Sequence, residues 1–147
     1  MQFIQNKLYL AMNAAMFIAY NGSEEQPVPG SAIVDYSNMN KRALEPVLQR
    51  LSSAGLVVSI KGARGGYYMS RPEHTTLRDI AEAFIDRVVP EKHEFEGYDS
   101  ILDEKLENFY DGWLDSLSDI TFSRLCVKAR NSGKISKFSA PVLNFSI

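Results

Sequence analysis

Apolar residues recur along this chain in rhythms that mark several helices and one hairpin. Leu8, Ala11, Met12, Ala15, Ile18 and Ala19 follow the i, i+3, i+4, i+7 spacing of one helical face. The stretch NGSEEQPVPGS then interrupts any helix with Gly and Pro and reads as a loop. Ser31 to Tyr36 is a short helix candidate, and Ser37-Asn38-Met39 a tight turn. Asn40 is a good N-cap for a helix running to about Ser53. There Leu44, Val47, Leu48 and Leu51 face inward, while Lys41, Arg42, Gln49 and Arg50 face outward. Gly55 suits the stop of that helix.

Beyond it the rhythm changes from helix to strand. LVVSI and YYM are short strand-like runs joined by KGARGG, a hairpin with a glycine-rich tip. Thr75, Thr76 and Leu77 open another amphipathic helix with Leu77, Ile80, Ala81 and Phe84 on one side. Pro90 to Asp99 lacks periodicity and is predicted as loop. From Ile101, a stripe of Leu102, Leu106, Phe109, Trp113, Leu117 and Ile120 alternates by three and four, predicting a long helix. Ile120-Thr121-Phe122 opens a last short helix containing Leu125. The tail from Arg130 is ambiguous.

The predicted class is therefore mainly α with a small β-hairpin (α+β). Its organisation is a winged helix-turn-helix over residues 1–88, a loop over 89–100, the long and last helices over 101–129, and a tail over 130–147. Each part has a use on duplex DNA. A recognition helix fits the major groove, where base pairs differ in their donors and acceptors. Asn40, Lys41, Arg42, Gln49 and Arg50 are side-chain types that pair with base edges and phosphates. The tip around Lys61, Ala63, Arg64 and Gly65 lets a cation approach phosphates or a narrow minor groove. A basic helix face can equally be merely solvated, and a glycine tip can serve any hairpin. As a phosphate loop of an enzyme the tip fits poorly, because its glycines join two strands and open no helix.

Charge sharpens this picture. The formal net charge of −2 over 147 residues hides a strong segregation. Asn38 to Arg71 carries six bases against one acid, Glu91 to Asp119 ten acids against two bases, and Arg124 to Lys137 five bases and no acid. One surface suits a polyanion and another faces water or a partner. The opening MQFIQNKLYLAMNAAMFIAY is broken by Gln2, Gln5, Asn6, Lys7 and Asn13, so it reads as an amphipathic helix and neither a leader nor a membrane span. A cytoplasmic setting is expected, and the single cysteine fits a reducing compartment.

The run RALEPVLQRLSSAGLVVSIKGARGGYYMSRP, followed by TTLRDIAEAFID, closely resembles the Rrf2 family of bacterial transcription regulators. The similarity continues more weakly into FYDGWLDSLSDITFSRL and covers roughly the first 125 residues. The resemblance implies a homodimer whose long C-terminal helices cross, with recognition helices and wings reading double-stranded DNA at an inverted-repeat operator; for this chain a repressor is the expected regulator. Leu102, Leu106, Phe109, Trp113, Leu117 and Ile120 would make that dimer contact. Packing of the same stripe within one subunit is the alternative reading.

Several residues depart from the family pattern. Many relatives hold an iron–sulfur cluster on three cysteines in the loop before the long helix, and clusters need several thiolates. Here that loop, VVPEKHEFEGYDS, has no cysteine, so no metal or other cofactor is expected. His93 and Glu94 are too few for a site. Cys126, with Arg124 and Lys128 near it, is a possible redox residue or a small core hydrophobe. Pro46 falls inside the recognition helix, which would bend or begin later. His74 and His93 sit in no catalytic motif, so no enzyme is expected. The second functional reading is a winged helix kept as a protein-interaction module without DNA binding. The effector remains open.

Overall fold

The computed structural model describes residues 4–86 and 95–135. Six helices and one hairpin follow in the order α1 (Asn6–Asn21), α2 (Gly30–Ser37), α3 (Lys41–Ser53), β1 (Val58–Ile60), β2 (Gly66–Tyr68), α4 (Leu77–Phe84), α5 (Tyr98–Leu117) and α6 (Phe122–Ser132). The architecture is the winged helix-turn-helix expected from the order of elements.

The central element is α1, which packs on α3, α4, α6 and β2. It can do so because its inward face is small. Ala11, Ala14 and Ala15 lie between Leu8 and Ile18, and all five are buried. Small side chains let neighbouring helices approach closely. Ile18, Leu44, Leu51, Ile80 and Phe122, from four different helices, are the largest fully buried side chains beside Val28.

Local chemistry fixes the helix ends. Asn40 Oδ1 accepts from the Ala43 amide at 2.8 Å and starts α3 at Lys41. The left-handed Asn38 (φ 54°) makes the sharp turn from α2. After Ser53, Gly55 (φ 74°) donates to Ser52 O while Leu56 donates to Leu51 O, both at 3.0 Å. That is a Schellman stop, and it aims the chain into the wing. Thr76 and Asp79 form a reciprocal capping box on α4. Backbone bonds from Leu77 N to Ile120 O and from Phe122 N to Thr75 O then lock the start of α4 to the start of α6.

Three boundaries differ from the sequence reading. The helix expected from Ile101 begins at Tyr98, because Phe95 O accepts from both Tyr98 N and Asp99 N and starts the turn earlier. It ends at Leu117, so Ile120 lies in the connection to α6 and does not extend the stripe. Finally, α6 runs past the expected limit at 129 to Ser132 and stops at Gly133 in the left-handed conformation. Within α3, Pro46 neither delays nor ends the helix. Pro costs a helix interior about 3 kcal/mol or more, and burial of Leu44, Val47, Leu48 and Leu51 with the Asn40 cap outweighs it.

Candidate nucleic-acid interface

Helix α3 turns Leu44, Val47, Leu48 and Leu51 wholly into the core. That fixes its opposite face. Lys41, Arg42 and Gln49 lie on this outer side with Glu45 and Pro46, all exposed. Among the described residues, neither Lys41 nor Arg42 enters an ion pair, so both cations are available to a polyanion. Asn40 acts through its side chain as the helix cap, which employs its carbonyl oxygen.

Arg50 is different. Its Nη2 lies 3.0 Å from Asp86 Oδ1, and its guanidinium carbon stands 5.1 Å from the centre of the Phe84 ring. The outward orientation expected for Arg50 is corrected here: the side chain is half-buried against the end of α4. It braces α3 to α4. Its stem covers apolar surface while its head keeps a partner.

The wing is held by more backbone than its sequence suggested. Val58 pairs with Tyr68, Ser59 with Tyr67 and Ile60 with Gly66, in antiparallel register. On the other side of β2, Val28 N donates to Tyr67 O and Tyr67 N to Val28 O, each at 2.8 Å. Val28, in the stretch read as a plain loop, thus supplies a third short pairing. The close approach explains Gly66, where a Cβ would collide with the Val28 carbonyl. Gly65 is equally constrained, because a Cβ there would meet the Ile60 carbonyl. Gly65 N donates to Gly62 O at 2.9 Å, and Gly62 has φ 111°. The glycines therefore shape the tip, and Lys61, Ala63 and Arg64 are left exposed on it.

The acidic end of the molecule has its own arrangement. The predicted stripe divides in two: Trp113 and Leu117 pack against the subunit core, with Leu114 buried beside them. Leu102, Leu106 and Phe109 are 61%, 63% and 72% exposed. Arg78 on α4 anchors the packed half, with Nε 2.8 Å from Glu82 Oε1 and Nη1 2.7 Å from Asp115 Oδ1. Hydrogen bonds to Glu82 and then Asp115 raise the guanidinium pKa further. Cys126 is half-buried on α6. His93 and Glu94 lie outside the described residues.

Helices and a hairpin in this order have counterparts among known proteins. The family model described as "Iron-dependent Transcriptional regulator" matches residues 4–128. The chain belongs to the Rrf2 family. Among curated relatives, the HTH-type transcriptional regulator CymR of Bacillus subtilis is 36% identical over 67 residues, covering 45% of this chain and 49% of that protein. The HTH-type transcriptional regulator IscR of Vibrio campbellii is 30% identical over 79 residues, 54% of this chain and 46% of that protein. The chain thus spans about half the length of the curated relatives it matches. The solved structure of the B. subtilis global cysteine regulator CymR covers 87% of this chain and 98% of its own, with a TM-score of 0.67 and 28% identity. A structure of IscR from T. potens has the same fold, at a TM-score of 0.68 and 22% identity, over 93% of this chain and 94% of its own.

Membership in the Rrf2 family raises the question of iron. A cluster held by several cysteine thiolates does not fit these residues, since the sequence has one cysteine and α6 carries it. Among the described residues no three His, Cys, Asp or Glu side chains gather into a metal-holding group. No helix among them is long and apolar enough to cross a membrane.

Proposed function

We propose that this Rrf2-family chain is a transcription regulator that binds duplex DNA as a homodimer and represses from an inverted-repeat operator in the cytoplasm. The observation that carries the reading is the pairing of two exposed basic features. Lys41 and Arg42 open the outer face of α3, and Lys61 and Arg64 stand on the wing tip, all in a segment with a charge excess of the opposite sign to α5. Lys41, Arg42 and Gln49 work in the major groove, with Asn40 setting the helix start. Lys61 and Arg64, with Ala63 and Gly65 giving them clearance, hold the wing to phosphates or a narrow minor groove.

The exposed half of α5 supports the twofold arrangement. Ile101, Leu102, Leu106 and Phe109 form an apolar surface of the kind that marks an interaction site. A second copy would cover it while the two reading heads face neighbouring turns of one duplex. Selection of bound sequences from a random duplex pool tests the proposal. Enrichment of a sequence with twofold symmetry, bound with a steep salt dependence, is the expected outcome. A pool that stays random, or a chain that ignores duplexes at low salt, overturns it in favour of a protein-interaction role.

A further inference from the structure

Beside the reading helix lies a cleft that shares Arg42 and Pro46 with its outer face and that the acidic helix does not line. It has a volume of about 790 Å³ and is bounded by α1, α2 and the first turns of α3. That size lies within the range of small-molecule sites. Its wall is apolar and aromatic. Leu10, Phe17, Ile33 and Tyr36 line it, with the Phe17 and Tyr36 rings 4.7 Å apart in a tilted pair. Its charges are of one sign, because Lys7 and Arg42 line it and no Asp or Glu does. Among the described residues neither cation has an ion-pair partner.

We propose that this cleft is an effector site for an apolar, preferably aromatic, monocarboxylate. The ring system would lie along Phe17, Tyr36 and Leu10, and the carboxylate would be met by Lys7 and Arg42 at the rim. An apolar body with one anionic end satisfies both halves of the lining. A neutral ligand would leave the two cations without an anionic partner.

The cleft also borders the DNA-facing surface. Arg42 and Pro46 line it and at the same time border the outer face of α3 with Lys41 and Gln49. A carboxylate drawing Arg42 inward removes a cation from the phosphates. The consequence, which rests on the DNA-binding reading above, is that an occupied cleft weakens binding to the duplex. Differential affinity for the free and DNA-bound forms is what such a switch requires.

Equilibrium binding of 2-naphthoate to the full chain, with 2-naphthamide as its neutral isostere, tests the site directly. Saturable binding of naphthoate, at least tenfold tighter than naphthamide, is expected. Lys7→Gln should erase most of that preference. Asn13→Phe, which fills the cleft from the exposed side of α1, should abolish binding while circular dichroism shows the helices intact. Equal affinity for the two probes, no saturable naphthoate binding up to about 1 mM, or unchanged binding to Asn13→Phe overturns the proposal. Naphthoate should also lower duplex affinity of the native chain but leave that of Asn13→Phe unchanged, and binding without such an effect overturns the regulatory half. A native chain that takes naphthoate yet ignores DNA sinks the DNA reading alone.

Discussion

The helices α3 and α5 both carry apolar residues at helical spacing, yet they spend them differently. In α3, Leu44, Val47, Leu48 and Leu51 are all buried, and the outer face is polar. In α5 only Leu114 is buried, and Ile101, Leu102, Leu106 and Phe109 are each more than 60% exposed. The first helix is finished by its own subunit. The second is half-finished: its C-terminal part docks on the core through Trp113, Leu114 and Leu117, and its N-terminal part projects. Apolar periodicity alone therefore does not say whether the surface that covers a stripe belongs to the same chain. Burial at about 25 cal/mol per Å² rewards either arrangement equally.

The strongest way to break this contrast is to charge the projecting half. In the proposed homodimer, Leu106→Asp with Phe109→Asp should raise the dissociation constant by about 1,000-fold, roughly 4 kcal/mol, because two carboxylates from each chain would lose water at the contact. Sedimentation should then show single chains that circular dichroism finds still folded, since both residues are exposed within the subunit. Single chains that no longer fold would place these residues in the folding core and remove the contrast. On the proposed twofold reading, duplex affinity should fall as dimerisation is lost, because half-sites come to be bound independently.

The complementary change in α3 is next in size. Leu44 is fully buried, so Leu44→Ala should cost about 2–5 kcal/mol of stability. Chemical denaturation of the variant checks it. The loss should appear with the dimer equilibrium unaltered at temperatures where the chain is folded. Together the two variants would separate folding from association.

Much of this division could be read in the sequence, and the rest could not, for identifiable reasons. The cap at Asn40, the stop at Gly55 and the start at Thr76 are local chemistry, and all three stand where side-chain type placed them. The apolar faces of α1, α3 and α4 were legible because a buried stripe must repeat with the helix. The role of Val28 is not legible in the sequence because its pairing with Tyr67 spans a long stretch of chain and PVPG reads locally as a loop. The constraints on Gly66 have the same origin, since the colliding carbonyl comes from Val28. Spacing alone puts Arg50 on the outer face, while its partners Phe84 and Asp86 lie at the far end of another helix and just beyond it. Only tertiary proximity reveals such a brace. The unequal burial along α5 was equally hidden, because Leu102 and Leu117 belong to the same periodic pattern.

The third prediction sharpens the assignment of α3 and the wing. Arg64 is exposed on the tip, so Arg64→Ala should weaken every duplex about tenfold, roughly 1.4 kcal/mol, with little change in sequence preference. The slope of log affinity against log salt should become shallower by about one phosphate contact. A variant that alters preference at one base position, leaving the salt slope intact, would instead place Arg64 on a base edge.

The smallest effect tests whether Arg50 belongs with the reading face or the scaffold. A partly exposed ion pair contributes about 0–1 kcal/mol, and a cation over an aromatic ring about 0.5–1 kcal/mol. Arg50→Ala should thus lower stability by about 1 kcal/mol or less, and Asp86→Ala by less still, because the Phe84 contact survives. In a double-mutant cycle the coupling between positions 50 and 86 should vanish at high salt. Duplex affinity should move little in Arg50→Ala when measured well below the melting temperature. A tenfold loss there, with stability unchanged, would show that Arg50 leaves Asp86 for a phosphate on binding and would return it to the DNA-facing set with Lys41 and Arg42.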